Sequence, residues 1–318
     1  MEVTVVGAGI IGLTTALTLQ EHGHRVRVVA EAPWSANVSG IAGAVWFPYK
    51  VGPPARVNVW AARTRRWLEQ IARTSPDAGV DVLTGYEITL EPHGELQRPW
   101  WAGEPTAELQ SAHIEDAIAV ERVPAPVEDA PHAWKFIAPR AQPSLFLPFL
   151  EAALSRPVER RRVTDLAAEP GDVVVNCTGI AARELCNDDK LVPLLGQVVI
   201  VERGAADLTT TITDDRDADD FFYIIPRRDE LVLGGCSIPF PPGDTPEIDP
   251  EITARILAHA KRLGISIGQL RRERVGLRPY RAEVRLEREG RVIHNYGHGG
   301  AGFTLCRGCA EDVATLVR

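Results

Sequence analysis

A glycine motif near the start of the chain constrains the fold more than any other sequence feature. It follows a β-branched apolar run at residues 3–6 that reads as a buried strand. A helical pattern over residues 10–21 and a second strand pattern over residues 25–30 come next, and Glu31 stands at the end of that strand. The sequence therefore predicts a strand–helix–strand unit that binds a dinucleotide. The residues of the motif, which have the pattern Gly-x-Gly-x-x-Gly, are Gly7, Ala8, Gly9, Ile10, Ile11 and Gly12.

Each part of this motif has a physical role. Gly7 allows the tight turn, Gly9 lets a pyrophosphate approach the backbone, and Gly12 lets the helix pack close to the strand. The helix N-terminus offers unpaired N–H groups and a positive dipole to the phosphates. Glu31 is placed to accept hydrogen bonds from the adenosine ribose, and its charge disfavours the 2′-phosphate of NADP. The motif alone does not distinguish FAD from NAD.

Charge and cysteine content exclude several classes of protein. The 318 residues carry a formal charge of −8, which argues against nucleic acid or an anionic membrane as the main partner. Five cysteines, an odd number, fit a reducing compartment better than a disulfide framework, and Cys306 and Cys309 are expected as two thiols on a C-terminal helix rather than metal ligands. The chain shows no secretory signal and no long apolar run, so we expect a cytoplasmic protein without bound metal.

Further strand and helix patterns continue along the chain. A buried strand is predicted at residues 171–178, and two strands at 221–225 and 230–233 flank a polar turn. A helix at residues 249–263 has Asp249 as N-cap, Pro250 at its first position and Gly264 as C-cap. Other helices are predicted at residues 57–72, 144–154 and 303–317, and a last strand at 292–295.

Segments outside the glycine motif resemble one enzyme family. Residues 43–49 (Gly-Ala-Val-Trp-Phe-Pro-Tyr) and 174–179 (Val-Val-Asn-Cys-Thr-Gly) are similar to two of its cofactor-contacting segments. More specific are Gly-Leu-Arg-Pro at 276–279, Arg-Leu-Glu at 285–287 and His-Asn-Tyr-Gly-His-Gly-Gly-Ala-Gly-Phe-Thr at 294–304. Together they resemble the D-amino-acid oxidase family, and the resemblance covers nearly the whole chain.

The resemblance implies an α/β fold in two interleaved domains. A Rossmann-like FAD-binding domain would comprise residues 1–50, 136–190 and 270–318. An α+β substrate-binding domain, built on a mostly antiparallel sheet, would comprise residues 51–135 and 191–269. A homodimer is also expected, since family members often form one.

The resemblance also implies roles for individual residues. Arg278 would bind the substrate carboxylate, which matches the planar fork of a guanidinium, and Tyr223, in Tyr-Ile-Ile-Pro, would donate to the same group. The carbonyl of Gly300 would accept a hydrogen bond from the substrate amine, whereas His298 would have a structural or FAD-contacting role rather than act as a base. Contacts with FAD are expected from the glycine motif, Glu31, Gly43, Ala44, Val45, Val163, Thr178, Gly179, Gly299, Gly300, Gly302, Phe303 and Thr304.

The sequence departs from the family at one position. Mammalian members have a second tyrosine, on an active-site lid, four residues before the one that corresponds to Tyr223. Here that position is Asp219, within an acidic run at residues 214–220 that reads as a solvated loop. An acidic loop near the entrance would disfavour acidic substrates.

The activity implied is FAD-dependent oxidative deamination of D-amino acids, with neutral or apolar side chains, to 2-oxo acids, ammonia and hydrogen peroxide. A hydride would pass from the substrate α-carbon to flavin N5, with molecular oxygen as the final acceptor. D-aspartate oxidase and glycine or sarcosine oxidase remain alternatives, and D-aspartate recognition would need a second cation, for which Arg216 is a candidate. An NAD-dependent dehydrogenase and a non-catalytic nucleotide-binding module are remoter alternatives.

Overall fold

One sheet runs through the computed structural model, which describes residues 1–90, 98–102, 118–204, 208–217 and 220–318. The described residues contribute fourteen strands to it, in the order β4-β5-β3-β9-β10-β11-β8-β13-β14-β7-β1-β2-β6, with β12 paired to β8. The strands are β1 (Glu2–Val6), β2 (Arg25–Ala30), β3 (Val80–Ile88), β4 (Glu121–Pro124), β5 (His132–Ala141), β6 (Glu159–Arg160), β7 (Val173–Asn176), β8 (Val192–Glu202), β9 (Thr211–Asp214), β10 (Phe222–Pro226), β11 (Glu230–Gly234), β12 (Ile238–Pro239), β13 (Leu270–Glu289) and β14 (Val292–His298).

The half of the sheet that contains β14, β7, β1 and β2 has the predicted Rossmann-like arrangement. β1 lies between β2 and β7, β14 lies beyond β7, and all of these pairs are parallel. The apolar runs of β1 and β7 are buried on both faces because helices cover them, as expected for a parallel sheet. The predicted strand–helix–strand unit at the N-terminus is therefore confirmed.

The other half is mostly antiparallel, as predicted, apart from the parallel pair β3–β9. Strands β9, β10, β11, β8 and β13 follow one another as antiparallel neighbours. Within the described residues, the mixed α/β class is therefore confirmed. The residue boundaries of the two domains stay a prediction, because one sheet is continuous across both.

The long strand β13 was not predicted as one element. It pairs with β8 from Leu270 to Tyr280 and with β14 from Tyr280 to Glu289, so one strand crosses from one half to the other. Its sequence is rich in arginine and contains glycine and proline, so it lacks the apolar alternation that marks a strand. Pairing on both sides, rather than apolar burial, holds it in the sheet.

The helices agree with the predicted positions within a few residues. Asp249 Oδ1 accepts a hydrogen bond from Glu251 N (2.8 Å), Pro250 is the first helical residue and Gly264 has φ +70°, which confirms the predicted caps. No helix among the described residues has the length and apolar character needed to span a bilayer. The helices are α1 (Ile10–Glu21), α2 (Val38–Ile41), α3 (Pro54–Thr74), α4 (Pro143–Ala152), α5 (Ala182–Leu185), α6 (Pro250–Arg262) and α7 (Gly302–Leu316).

Two apolar clusters hold the helices to the sheet. The larger one joins β1, α1, α3 and α7, and it contains the fully buried thiols of Cys306 and Cys309, so these are helix-core residues as predicted. The second lies between α6 and the antiparallel strands, where Ile212, Ile224 and Ile256 meet. Because α6 covers that face of β9 and β10, the opposite face is left to form the wall of a cavity.

Candidate active site

A cavity of about 810 Å³ extends from the glycine motif at the end of β1 to the paired strands β8 and β13. Its position at the carboxyl ends of parallel strands is the usual one for a nucleotide site in an open α/β sheet. Arg278 and Tyr223 line the other end of the same cavity. One space therefore joins the predicted cofactor residues to the predicted substrate residues.

The glycine motif fits a bound pyrophosphate. Gly7 has φ +114°, and a Cβ there would lie 2.3 Å from the Cys177 carbonyl oxygen. A Cβ on Gly12 would lie 1.9 Å from the Gly7 oxygen, so only glycine lets α1 come this close. Ser39 Oγ accepts from the Ile10 N–H (3.0 Å), and Gly9 adds no side-chain cap. The other N–H groups of the first turn are left for phosphate oxygens.

The adenosine end is lined by Glu31 and by the segment after β6. Arg161, Arg162 and Val163 lie on the cavity wall with Glu31. Arg161 binds both carboxylate oxygens of Glu169, at 2.7 and 2.5 Å, which fixes this segment. The dinucleotide cradle, the acid for a ribose and the volume of the cavity together fit FAD.

Arg278 is held by main-chain groups and has no acidic partner. Its Nη1 donates to the carbonyl oxygens of Cys236 (2.7 Å) and Leu195 (3.4 Å). In the described part of the chain it forms no ion pair, whereas Arg281 and Arg285 on the same strand are paired with carboxylates. A Cβ on Gly196 would lie 2.3 Å from Nη1, so this glycine makes room for the guanidinium. The arrangement presents a fixed cation that lacks an anion.

Tyr223 lies beside this guanidinium. Burial raises the pKa of its hydroxyl, and the neighbouring Arg278 acts in the opposite direction. A Cβ on Gly234, the cross-strand neighbour of Tyr223, would lie 2.4 Å from the hydroxyl oxygen. Glycines on β8 and β11 thus leave the space that the Arg278 and Tyr223 side chains occupy.

Tyr49 and the turn at residues 297–302 form the adjoining wall. The Arg278 guanidinium carbon lies 5.9 Å from the centre of the Tyr49 ring. The centres of the Tyr49 and Phe221 rings are 4.9 Å apart. Gly300 N donates to the Tyr49 carbonyl oxygen (3.2 Å). Gly299, with φ +53°, packs where a Cβ would lie 1.9 Å from the Lys50 oxygen. These contacts fix Gly300 at the cavity.

His298 is a buried, neutral wall residue. Its side chain is 3% exposed, and burial lowers its pKa to about 3. Its Nε2 has no hydrogen-bond partner among the described residues. Because the ring lines the cavity, this nitrogen is available to a bound ligand, which agrees with a contact role rather than with a titrating base.

Most of the predicted site residues line the cavity, but two do not. Gly12 lies beneath α1, and Thr304 is buried, where its Oγ1 bonds both N (3.0 Å) and O (2.9 Å) of Phe47. These two support the wall from behind. Wall residues that the sequence did not single out include Asn37, Val38, Ser39, Arg161, Arg162, Thr213 and Phe221; they come from loops and strand faces that no motif marks.

The acidic run is not simply a solvated loop, so that interpretation was wrong in part. Asp214 is 2% exposed at the end of β9. Its carboxylate binds Arg216 Nη2 (2.8 Å) and His259 Nε2 on α6 (3.0 Å), which depresses its pKa. Asp219, where the family's lid tyrosine would stand, lies outside the described residues.

Two more carboxyl groups lie at the ends of β3 and β9, behind the residues that line the cavity. Glu87 on β3 is 4% exposed, and its Oε2 has no hydrogen-bond partner among the described residues. Burial, together with the Asp215 charge, raises the Glu87 pKa to about 8, against the opposite effect of a hydrogen bond with Trp101. Burial also raises the pKa of Asp215, against the effect of Lys50.

The Glu87→Gln variant is expected to gain stability over the parent as pH rises from about 4.5 to about 8. The unfolded chain ionises Glu87 near 4.5 and the folded protein near 8, so the parent loses stability across this window and the glutamine does not. The difference should reach the order of a few kcal/mol. Thermal unfolding of both proteins across this range measures it. Glu121→Gln, at an exposed strand carboxylate, should show no such trend; an equally flat trend for Glu87→Gln would contradict the expectation.

The fold and the cavity define a class of protein: an enzyme with a dinucleotide-cofactor site at one end of a cavity and an unpaired guanidinium at the other. Residues 2–316 match the FAD dependent oxidoreductase family, and the chain belongs to that family. It is 37% identical over 325 residues to a D-amino-acid oxidase of Streptomyces coelicolor, covering 99% of this chain and 96% of that protein. Identity to a D-amino-acid oxidase of Rubrobacter xylanophilus is 36% over 324 residues, covering 98% and 94% of the two chains.

Among solved structures, glycine oxidase from Bacillus cereus has the same fold. The two chains superpose with a TM-score of 0.74 at 20% identity, over 99% of this chain and 94% of that one. This likeness concerns the fold.

Proposed function

We propose that the protein oxidises D-amino acids to 2-oxo acids, with release of ammonia and hydrogen peroxide. The observation that carries the proposal is Arg278, a cavity-lining guanidinium with no acidic partner among the described residues, beside the Tyr223 hydroxyl. Two relatives with more than a third of their residues identical bear the name D-amino-acid oxidase, which supports the same substrate class.

Arg278 and Tyr223 would bind the substrate carboxylate. The main-chain bonds of Arg278 occupy Nη1, so its remaining N–H groups are directed to a ligand, and a guanidinium pairs with a carboxylate through two parallel bonds. The Tyr223 hydroxyl, which stays protonated because its pKa is raised, would donate a third bond. The carbonyl of Gly300 would accept from the amine.

The protein's part in the reaction would be orientation, since no described side chain near Arg278 is suited to remove the α-hydrogen as a proton. His298 lines the cavity, but burial lowers its pKa to about 3, too low for a base near pH 7. Tyr49, whose pKa burial raises, stays a neutral hydroxyl. When bound, FAD supplies the two-electron acceptor for a hydride and a route for those electrons to dioxygen. Water then hydrolyses the imino acid to a 2-oxo acid and ammonia.

Fixed contacts to the carboxylate and the amine also determine chirality. With these two groups and the α-hydrogen in place, one direction is left for the side chain, and only one enantiomer directs it into the cavity. The identity to D-amino-acid oxidases supports the D-enantiomer as that one.

Specific oxidation of D-aspartate is not favoured by the residue considered for it. Arg216 is already engaged by Asp214, and its Nη1 donates to the Asp129 carbonyl oxygen (2.6 Å) and Nη2 to the Asp129 carboxylate (3.0 Å). A neutralised guanidinium has little charge left for a substrate carboxylate.

Peroxide release tests the proposal directly. Purified protein should be yellow, and it should release peroxide with D-amino acids but not with their L-enantiomers. Glycine, sarcosine and D-aspartate are included as substrates of the alternative enzymes, and NAD reduction is followed in parallel. Activity restricted to glycine or sarcosine, or a colourless protein that remains inert with added FAD, would overturn the proposal.

A further inference from the structure

Tyr49 carries a buried hydroxyl group in the wall of the cavity. Its oxygen has no hydrogen-bond partner among the described residues. Gly300 N donates to the main-chain oxygen of Tyr49, and Phe221 packs against the ring, so neither of them engages the hydroxyl. A buried hydroxyl that meets no partner is unfavourable, so this group is available to a ligand in the cavity.

The Tyr49 hydroxyl lies close to the cation of the site. The Arg278 guanidinium carbon is 5.9 Å from the centre of the ring. Burial raises the Tyr49 pKa, and of the individual groups that act on it, Arg278 acts most strongly, in the opposite direction. Tyr223 also acts on the same hydroxyl. The phenol therefore stays protonated, as a hydrogen-bond donor, beside the two side chains assigned to the substrate carboxylate.

Ser237 supports this donor role. It follows Cys236, whose carbonyl oxygen accepts from Arg278 Nη1 (2.7 Å). Its hydroxyl is near enough to Tyr49 to lower the tyrosine pKa, yet its oxygen is also buried and has no partner in the described part of the chain. A hydroxyl both donates and accepts, so Ser237 can donate to the Tyr49 oxygen and leave the phenolic proton for a ligand.

Packing fixes the ring that carries this hydroxyl. The ring centres of Tyr49 and Phe221 are 4.9 Å apart, and Phe221 is itself 4% exposed. On the other side, a Cβ on Gly300 would lie 2.6 Å from Tyr49 Cδ1, so the turn lies directly against the ring. These contacts involve carbon atoms alone, and they remain when phenylalanine replaces the tyrosine.

We propose that the Tyr49 hydroxyl donates a hydrogen bond to the substrate carboxylate, as a third side chain beside Arg278 and Tyr223. The inference rests on the function proposed above, which places a carboxylate at Arg278. A carboxylate has about four lone-pair sites. The guanidinium fork occupies two and the Tyr223 hydroxyl one, so a site is left for a second hydroxyl. Tyr49 would bind and orient the substrate, and no proton leaves it.

The Tyr49→Phe variant tests the contact, because it removes one oxygen and keeps the ring. Its kcat/KM for D-alanine should fall roughly tenfold or more, chiefly through a higher KM, since a hydrogen bond to a charged acceptor is lost. The fall should be equal for D-valine, which has the same carboxylate. Tyr86→Phe, at a half-buried tyrosine on the α6 side of β3, should leave both substrates unaffected.

A binding measurement separates this contact from a structural role. Propionate has the carboxylate but no amine, so it is not oxidised. Its Kd for the FAD-loaded protein, followed by flavin absorbance, should rise roughly tenfold in Tyr49→Phe. Flavin content should match the parent, and the unfolding temperature without propionate should not fall, because the hydroxyl meets no described partner in the free protein.

The outcomes distinguish this inference from the proposed function. An unchanged KM and propionate Kd in Tyr49→Phe would overturn the carboxylate contact. A loss with D-valine but not with D-alanine would also overturn it, because the hydroxyl would then serve the side chain. Both results leave the proposed function standing if the parent releases peroxide from D-alanine. A parent that is inert with every D-amino acid would overturn both.

Discussion

Replacing Arg278 with alanine is expected to lower kcat/KM for D-amino acids by roughly two to three orders of magnitude, because a buried, hydrogen-bonded charge pair with the substrate is lost. Most of the loss should appear as a higher KM, since the guanidinium contacts the carboxylate before and during reaction. A smaller loss in kcat should accompany it, because a substrate whose carboxylate is no longer bound by Arg278 holds its α-hydrogen in a less favourable orientation for transfer. Steady-state kinetics on the FAD-loaded protein measures both.

Two further variants sharpen this experiment. Arg278→Lys keeps the charge but not the planar fork, so it should fall between the parent and alanine. Arg271→Ala removes an arginine from the same strand, where the side chain is exposed and paired with Glu202, and should leave the kinetics unchanged. Unaltered kinetics in Arg278→Ala would contradict the proposal that Arg278 binds the substrate carboxylate.

The Gly12→Ala variant is expected to lose FAD binding or to fail to fold. The added Cβ would lie 1.9 Å from the Gly7 carbonyl oxygen and 2.8 Å from its carbon, and both atoms belong to the turn that would receive the pyrophosphate. Relief requires α1 to move away from β1, which opens the core beneath it. Flavin absorbance per protein and the temperature of unfolding, measured with and without added FAD, report the two effects separately.

Gly290→Ala provides the matched control. Gly290 also has a positive φ, +60°, but a Cβ there meets nothing within 4 Å. It should cost about 1 kcal/mol of backbone strain, without loss of flavin. Normal flavin content in Gly12→Ala would show that the helix does not pack as closely as the motif implies.

Features encoded by short segments could be predicted from the sequence. The motif at residues 7–12 acts through neighbours in the chain, and the caps of α6 at Asp249 and Gly264 do the same. Arg278 was identified from its motif, since an arginine-rich strand gives no sign of which guanidinium lacks a partner.

Features that depend on cross-strand contact could not be predicted. Gly196 and Gly234 look ordinary in the sequence, and their role as space for Arg278 and Tyr223 emerges only when strands pair. Glu87 lies far along the chain from Asp215, so register alone brings them together. Asp214 was misread as solvated because nothing local indicates that His259 on α6 reaches it.

The long strand β13 bears on how such a site changes over generations. It pairs with β8 without interruption from Arg272 to Tyr280, and a one-residue slip in this part would turn Arg278 to the other face of the sheet. Insertions and deletions are therefore excluded from the part that carries Arg278. Phe221, by contrast, lines the cavity from a segment outside the helices and strands. Diversification of the side chain accepted is thus open to mutation in this segment, while Arg278, the residue proposed to bind the carboxylate, is inherited unchanged.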